Sequence, residues 1–167
     1  MSDYVIRRLS VDEKRPVFDC GDDDLNDFFA IDSVVSAKQL LSVTYTVEID
    51  NVLADFFSLS NDAVKKELLD RPIYNRLTRI ILSRKRYATL PAVKIGRLAT
   101  GVAYQSSGIG SEIIDYLKYW FTDGNKTGCR FIIVDAYNND KTIHFYLKND
   151  FSFLLPSDDK KNPFDDF

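Results

Sequence analysis

Between residues 91 and 155 the chain alternates strand, helix, strand, helix, strand. That order restricts it to an α/β domain built on a mixed sheet. The first strand, residues 91–100, carries Val93, Ile95 and Leu98. A glycine-containing loop follows. Ile109, Ile113, Leu117 and Trp120 then recur at helical spacing and predict a helix over about 108–121. Phe131-Ile132-Ile133-Val134 is a continuous apolar run, the pattern of a buried central strand. A second helix is expected over 138–148 and a short strand over 151–155.

The N-terminal half adds antiparallel elements. Residues 4–9 read as a first strand. Asp22, Asp23 and Asp24 precede an apolar run, and their carboxylates can accept the free N–H groups of a first helical turn. A helix or pair of short helices is expected to about residue 40, with Leu25, Phe28 and Phe29 as its apolar face. Residues 42–49 and 52–59 are β-rich and apolar, and Asp50-Asn51 between them predicts a hairpin turn. Residues 61–69 read as a short helix capped by Asn61 or Asp62. The spacing of Ile73, Leu77, Ile80 and Ile81 predicts a helix within 72–90. The chain of 167 residues suits one domain. Residues 1–155 are expected to form it, with 156–167 as a polar tail that stops short of a final strand.

Composition excludes several classes. With one His and two Cys, structural zinc and His-based triads lack ligands, and no metal is expected. No signal-peptide core opens the chain, and no window approaches the roughly 20 apolar residues of a membrane span. A cytoplasmic protein with free thiols and no membrane association is the expectation. Net charge is −3, yet Lys65, Lys66, Arg71, Arg76, Arg79, Arg84, Lys85, Arg86, Lys94 and Arg97 face only Glu67 and Asp70 within residues 65–97. Such asymmetry marks either a surface that meets an anion or a solvated face.

The strongest local signal for chemistry is Gln105-Ser106-Ser107-Gly108-Ile109-Gly110 between a strand and a helix. First-turn N–H groups lack backbone partners, and the aligned peptide dipoles place roughly half a positive charge there. Glycines let backbone approach a phosphate closely. A pyrophosphate would fit against residues 105–111, with Ser106, Ser107 and Ser111 as hydroxyl donors. No Gly-Lys-Ser/Thr ends the loop, so it is no Walker loop, and it is not the three-glycine dinucleotide fingerprint.

With this spacing the chain resembles the GNAT family of N-acetyltransferases. Gln105, Gly108 and Gly110 match the family's Gln/Arg-x-x-Gly-x-Gly/Ala at a helix start. Asn139, Tyr146 and Phe151 match its downstream Asn-x-x-Ala-x-x-x-Tyr-x-x-x-Gly-Phe, with Thr142 in place of Ala and Asp150 in place of Gly. Asp tolerates the left-handed conformation, so the helix can still end there. Phe18-Asp19-Cys20-Gly21, Leu25-Asn26-x-Phe28 and Gly96-Arg97-Leu98-Ala99 resemble the branch that includes acetyltransferase toxins of bacterial toxin–antitoxin pairs.

The resemblance implies a single-domain fold with a mixed central β-sheet flanked by α-helices, and acetyl-CoA as cosubstrate. It implies Tyr146 as general acid toward the departing thiolate, Leu98, Ala99 and Thr100 as the backbone that pairs with the pantetheine arm, and Asn139 on the cofactor side. The acceptor is an amine of a small molecule, a protein or an aminoacyl-tRNA. An antitoxin partner and a homodimer are the associations the resemblance opens. A non-catalytic binding module on the same fold is the competing reading. Glu48, Asp135 and a water stand as alternatives for the base. His144, two residues from Tyr146, falls on another helical face and reads as a surface or packing residue.

Overall fold

The computed structural model describes residues 4–79, 81, 87–125 and 127–155. Five strands form one sheet in the order β1-β2-β3-β4-β5. They are β1 (Tyr4–Arg8), β2 (Val43–Ile49), β3 (Val52–Lys65), β4 (Thr89–Thr100) and β5 (Phe131–Val134). β1 to β4 are antiparallel, and β4 and β5 are parallel. Asp50 and Asn51 take φ of 50° and 63° and join β2 to β3 in the tight turn their residue types favour.

Helices cover both faces. On one lie α1 (Asp23–Asp27) and α2 (Ser33–Lys38), joined by a π-helical turn at Phe28–Asp32. Asp22 caps α1 by accepting the Leu25 N–H at 3.1 Å. Phe29 packs with Phe56, Ala99, Leu9 and Cys20, and Leu25 and Phe28 close over them. On the other face lie α4 (Ile109–Trp120) and α5 (Asp140–Lys148), with Ile109, Ile113, Ile114, Leu117 and Tyr146 packed against Val47, Phe57 and Ile95. Among the described residues no helix is long and apolar enough to cross a membrane.

Three expectations are corrected. Residues 61–65 are strand rather than helix, because β3 runs on beside β4 with Val64 opposite Leu90 and Lys65 opposite Thr89. Only a 3-10 turn, Lys66–Leu68, follows, and α3 (Arg71–Thr78) comes next, with Ile80 outside the described residues. β5 is an edge strand of the described sheet, not a central one. Its apolar run is explained by cover on both faces: Ile132 and Val134 pack with the α4 core, and Phe131 and Ile133 with Val64, Leu90 and Ala92. Residues 151–155 form no strand.

Candidate active site

The site begins with a break in the sheet. Opposite β3 the register steps from Ser58↔Arg97 to Leu59↔Ile95, so Gly96 is the extra residue of a β-bulge. Pairing of β4 with β5 ends at the same point, Ile95↔Val134. From Arg97 to Thr100 the β4 backbone keeps β3 as partner on one side and has no β5 partner on the other. A bulge turns and twists its strand. Beyond it the backbone of Leu98, Ala99 and Thr100 has no β5 partner, and this gap in the pairing is the cleft of the candidate site.

The start of α4 stands at this cleft. Gly108, with φ of 95°, sits before the helix, and a Cβ there would meet nothing within 4 Å. The Ser111 and Glu112 amides bond back to the Gly108 carbonyl, while among the described residues the Ile109 and Gly110 amides meet no backbone acceptor. This leaves donors and a positive dipole end facing open space, which fits a pyrophosphate.

The side chains of the loop are occupied differently. Gln105 donates to the Cys20 carbonyl at 2.7 Å and to the Thr100 carbonyl at 3.1 Å. It therefore fastens the loop to the end of β4 and to the segment before α1. Ser107 donates to the Tyr104 carbonyl at 2.5 Å, and Ser106 takes φ of 62°. Gly110 is explained by packing: a Cβ there would lie 3.1 Å from the Phe145 ring of α5.

Asn139 caps α5, accepting the Thr142 N–H at 2.9 Å. At the other end Asp150 takes φ of 69°. The Phe151 amide bonds to the Tyr146 carbonyl and the Asp150 amide to that of Leu147, closing a Schellman motif. The Phe151 ring contacts the Tyr146 ring at 5.2 Å between centroids. The Asp that replaces the family's Gly thus adopts the left-handed conformation the motif requires, and the cap fixes the Tyr146 ring. Tyr146 is 9% exposed, and burial, with a smaller contribution from the charge of Asp55, pushes its phenol up to about 12. His144, two residues away, is exposed.

Neither candidate base is free. Glu48 pairs with Arg7 at 3.3 Å, and Asp135 pairs with Lys94. Of the basic segment, Lys66 and Arg71 line a shallow cavity of about 270 Å³ with Leu69, Tyr74 and Asn75. Arg84, Lys85 and Arg86 lie outside the described residues.

Sequence reasoning missed Asp55. It stands on β3 opposite Thr100, is fully buried, and accepts the Thr100 hydroxyl on Oδ2 at 2.5 Å. Its Oδ1 is buried and has no partner among the described residues. Burial pushes its carboxyl well above the usual carboxylate range, against the pull of the Thr100 hydrogen bond. The available signal was an aspartate inside the apolar run Val52-Leu53-Ala54-Asp55-Phe56-Phe57, where strands seldom hold one.

Parallel strands that stop pairing beside a helix start whose first amides lack backbone acceptors define an α/β arrangement suited to an anionic group. Residues 73–151 match the model of the acetyltransferase (GNAT) family. The match spans just under half of the chain, and the chain as a whole shares the fold of solved acetyltransferase toxins. Among proteins of curated function, none matches the sequence. Solved structures with the same fold include AtaTR bound with AcCoA, with a TM-score of 0.71 and 21% identity over 92% of this chain and 88% of that one. AtaT complexed with acetyl-methionyl-tRNAfMet has a TM-score of 0.70 and 20% identity over 87% of this chain and 85% of that one. A tyrosine-to-phenylalanine mutant of KacT has a TM-score of 0.68 and 22% identity over 87% and 84%. At these identities the likeness is one of fold.

Proposed function

We propose that this protein is an acetyl-CoA-dependent N-acetyltransferase in which a primary amine attacks the thioester directly. The bulged end of β4, left without a β5 partner beside a helix start whose first amides lack backbone acceptors, is the observation that carries this reading. Acetyl-CoA brings an activated acyl thioester. The Ile109 and Gly110 amides hold its pyrophosphate, and the backbone of Leu98, Ala99 and Thr100 pairs with the pantetheine arm and faces the carbonyl oxygen where negative charge develops. Tyr146 offers its phenolic proton to the departing sulfur. Asn139 shapes the cofactor side by starting α5. Glu48 and Asp135 are both engaged in ion pairs, so the amine sheds its proton to water.

The acceptor we infer is the amino group of an aminoacyl-tRNA. The likeness to AtaT, one of whose structures contains acetyl-methionyl-tRNAfMet, spans most of both chains. The cavity lined by Lys66 and Arg71 adds cationic groups suited to phosphate. An antitoxin partner belongs to the same reading, since AtaT is also known bound to the C-terminus of the antitoxin AtaR. A homodimer is a further proposal.

Thiol release from acetyl-CoA, followed over a panel of amines that includes aminoacyl-tRNA, tests both levels. Turnover with aminoacyl-tRNA that weakens as salt rises supports the acceptor. Turnover with small amines alone leaves an acetyltransferase with another substrate. Tight acetyl-CoA binding in a calorimeter without thiol release on any amine would make the protein a non-catalytic module.

A further inference from the structure

Asp55 is an expensive residue for a position that only needs filling. It is fully buried in β3, between Val47 of β2 and Thr100 of β4, on the sheet face covered by α4 and α5. One carboxyl oxygen accepts the Thr100 hydroxyl, and the other has no partner among the described residues. A buried polar atom left unpaired calls for an explanation beyond packing, because an apolar side chain there would avoid the desolvation. Its location supplies one. Thr100 is the last residue of the splayed stretch of β4, and its hydroxyl oxygen lies 3.8 Å from where a Cβ on Gly110 would stand. The Asp55–Thr100 pair therefore lies at the junction of the β4 end and the start of α4, on the side from which Tyr146 of α5 approaches.

We propose that Asp55 is a positioning residue for acyl transfer: through the Thr100 hydroxyl it sets the end of β4, and the thioester laid along it, against the start of α4 and Tyr146. The proposal rests on the acetyltransferase reading above. Asp55 itself is closed off from solvent and touches no substrate, so it acts only through Thr100. Its carboxyl is held toward the neutral form by burial, so its role requires a hydrogen-bonding oxygen rather than a negative charge.

The test uses the full chain with Asp55→Asn, Asp55→Ala, Thr100→Val and the Asp55→Ala/Thr100→Val pair. Each is measured for single-turnover kcat, for acetyl-CoA affinity by calorimetry, and for hydrogen exchange at residues 99–102. Asp55→Asn keeps an oxygen for the Thr100 hydroxyl and is expected to stay within about threefold of wild type in kcat. Asp55→Ala and Thr100→Val are each expected to lose about 10- to 100-fold in kcat, as a sub-ångström misplacement of reacting groups does. Acetyl-CoA affinity should fall by much less than kcat, because the pyrophosphate contacts at the α4 amides are untouched and only the pantetheine end is loosened. The double variant should be no worse than either single one. Exchange at 99–102 should quicken in Asp55→Ala and not in Asp55→Asn. Three results would overturn the proposal: a folded Asp55→Ala protein with wild-type kcat, an Asp55→Asn protein as poor as Asp55→Ala, or losses that add in the double variant. If the wild-type protein turns over no amine, the acetyltransferase reading fails by itself, and the exchange data alone decide whether Asp55 positions this backbone.

Discussion

Asp55 and Tyr146 are both ionisable and both buried, and burial moves each toward its neutral form. The consequences differ because their unfolded pKa values differ. An unfolded Asp titrates near 3.9, roughly. A carboxyl raised above that in the folded state contributes fully at acid pH, and its contribution is lost as pH rises through the folded value. Asp55→Asn should therefore gain in stability relative to wild type as pH rises above about 4, read as the change in urea midpoint with pH. Parallel curves would mean that Asp55 ionises as freely folded as unfolded. For Tyr146 the window lies between about 10 and about 12, so its phenol stays protonated throughout the neutral range. A phenol held in its protonated form is a poorer acid than a free tyrosine, so in the proposed mechanism Tyr146 would act as a hydrogen-bond donor to the departing sulfur. Removing only that hydroxyl, Tyr146→Phe should lower kcat about 10²-fold with acetyl-CoA affinity retained, measured where chemistry limits the rate. A stably folded variant with wild-type kcat would remove Tyr146 from the mechanism.

At the scale of elements, α4 and α5 meet through a glycine. Gly110 of α4 faces the ring of Phe145 of α5 with no room for a methyl group unless the ring moves by a few tenths of an ångström. We expect Gly110→Ala to destabilise the fold by about 1 kcal/mol through overpacking. That is a fall of roughly 2–4 °C in Tm for a chain of this size. An unchanged Tm with weakened acetyl-CoA binding would return Gly110 to the role its motif suggests, clearance for a phosphate. The two motifs were legible in the sequence because local chemistry fixes them, a helix start with glycines and a left-handed Asp150, while the capping role of Asn139 emerged only from the structure. The far end of β3 was not legible. Asn61 and Asp62 look like helix caps and Lys65 to Leu69 like a helix, but pairing with β4 overrides local preference. Strand β5 was misplaced for a related reason. A continuous apolar run reports burial of both faces, and here helices and the β3–β4 ribbon achieve that at an edge.

At the scale of the molecule, the sequence announced the layer order and the cofactor-side helices. It could not announce the cleft, which depends on a one-residue bulge at Gly96, or Asp55, whose partner lies 45 residues away in sequence. Nor could it show how the two sides of the sheet are joined. The loop before α4 is tied to the segment before α1 by two hydrogen bonds, Val102 N–H to the Asp19 carbonyl and the Gln105 side chain to the Cys20 carbonyl. On the opposite wall of the cleft, Tyr137 donates to Asp24 of α1 at 2.8 Å. A ligand that orders the loop must then order α1 as well, and anything that seats against α1 must raise affinity for that ligand by the same factor, since a coupling free energy is reciprocal. Saturating acetyl-CoA should slow amide exchange not only at residues 105–111 but also at 19–26, on the far face of the sheet. Gln105→Ala should abolish the distant protection while leaving much of the near one. Protection confined to 105–111 in the wild-type protein would mean that the two faces answer their ligands independently. If the coupling holds, occupancy of one face tightens binding at the other by the same factor whichever is filled first, and the protein is best saturated when both are engaged.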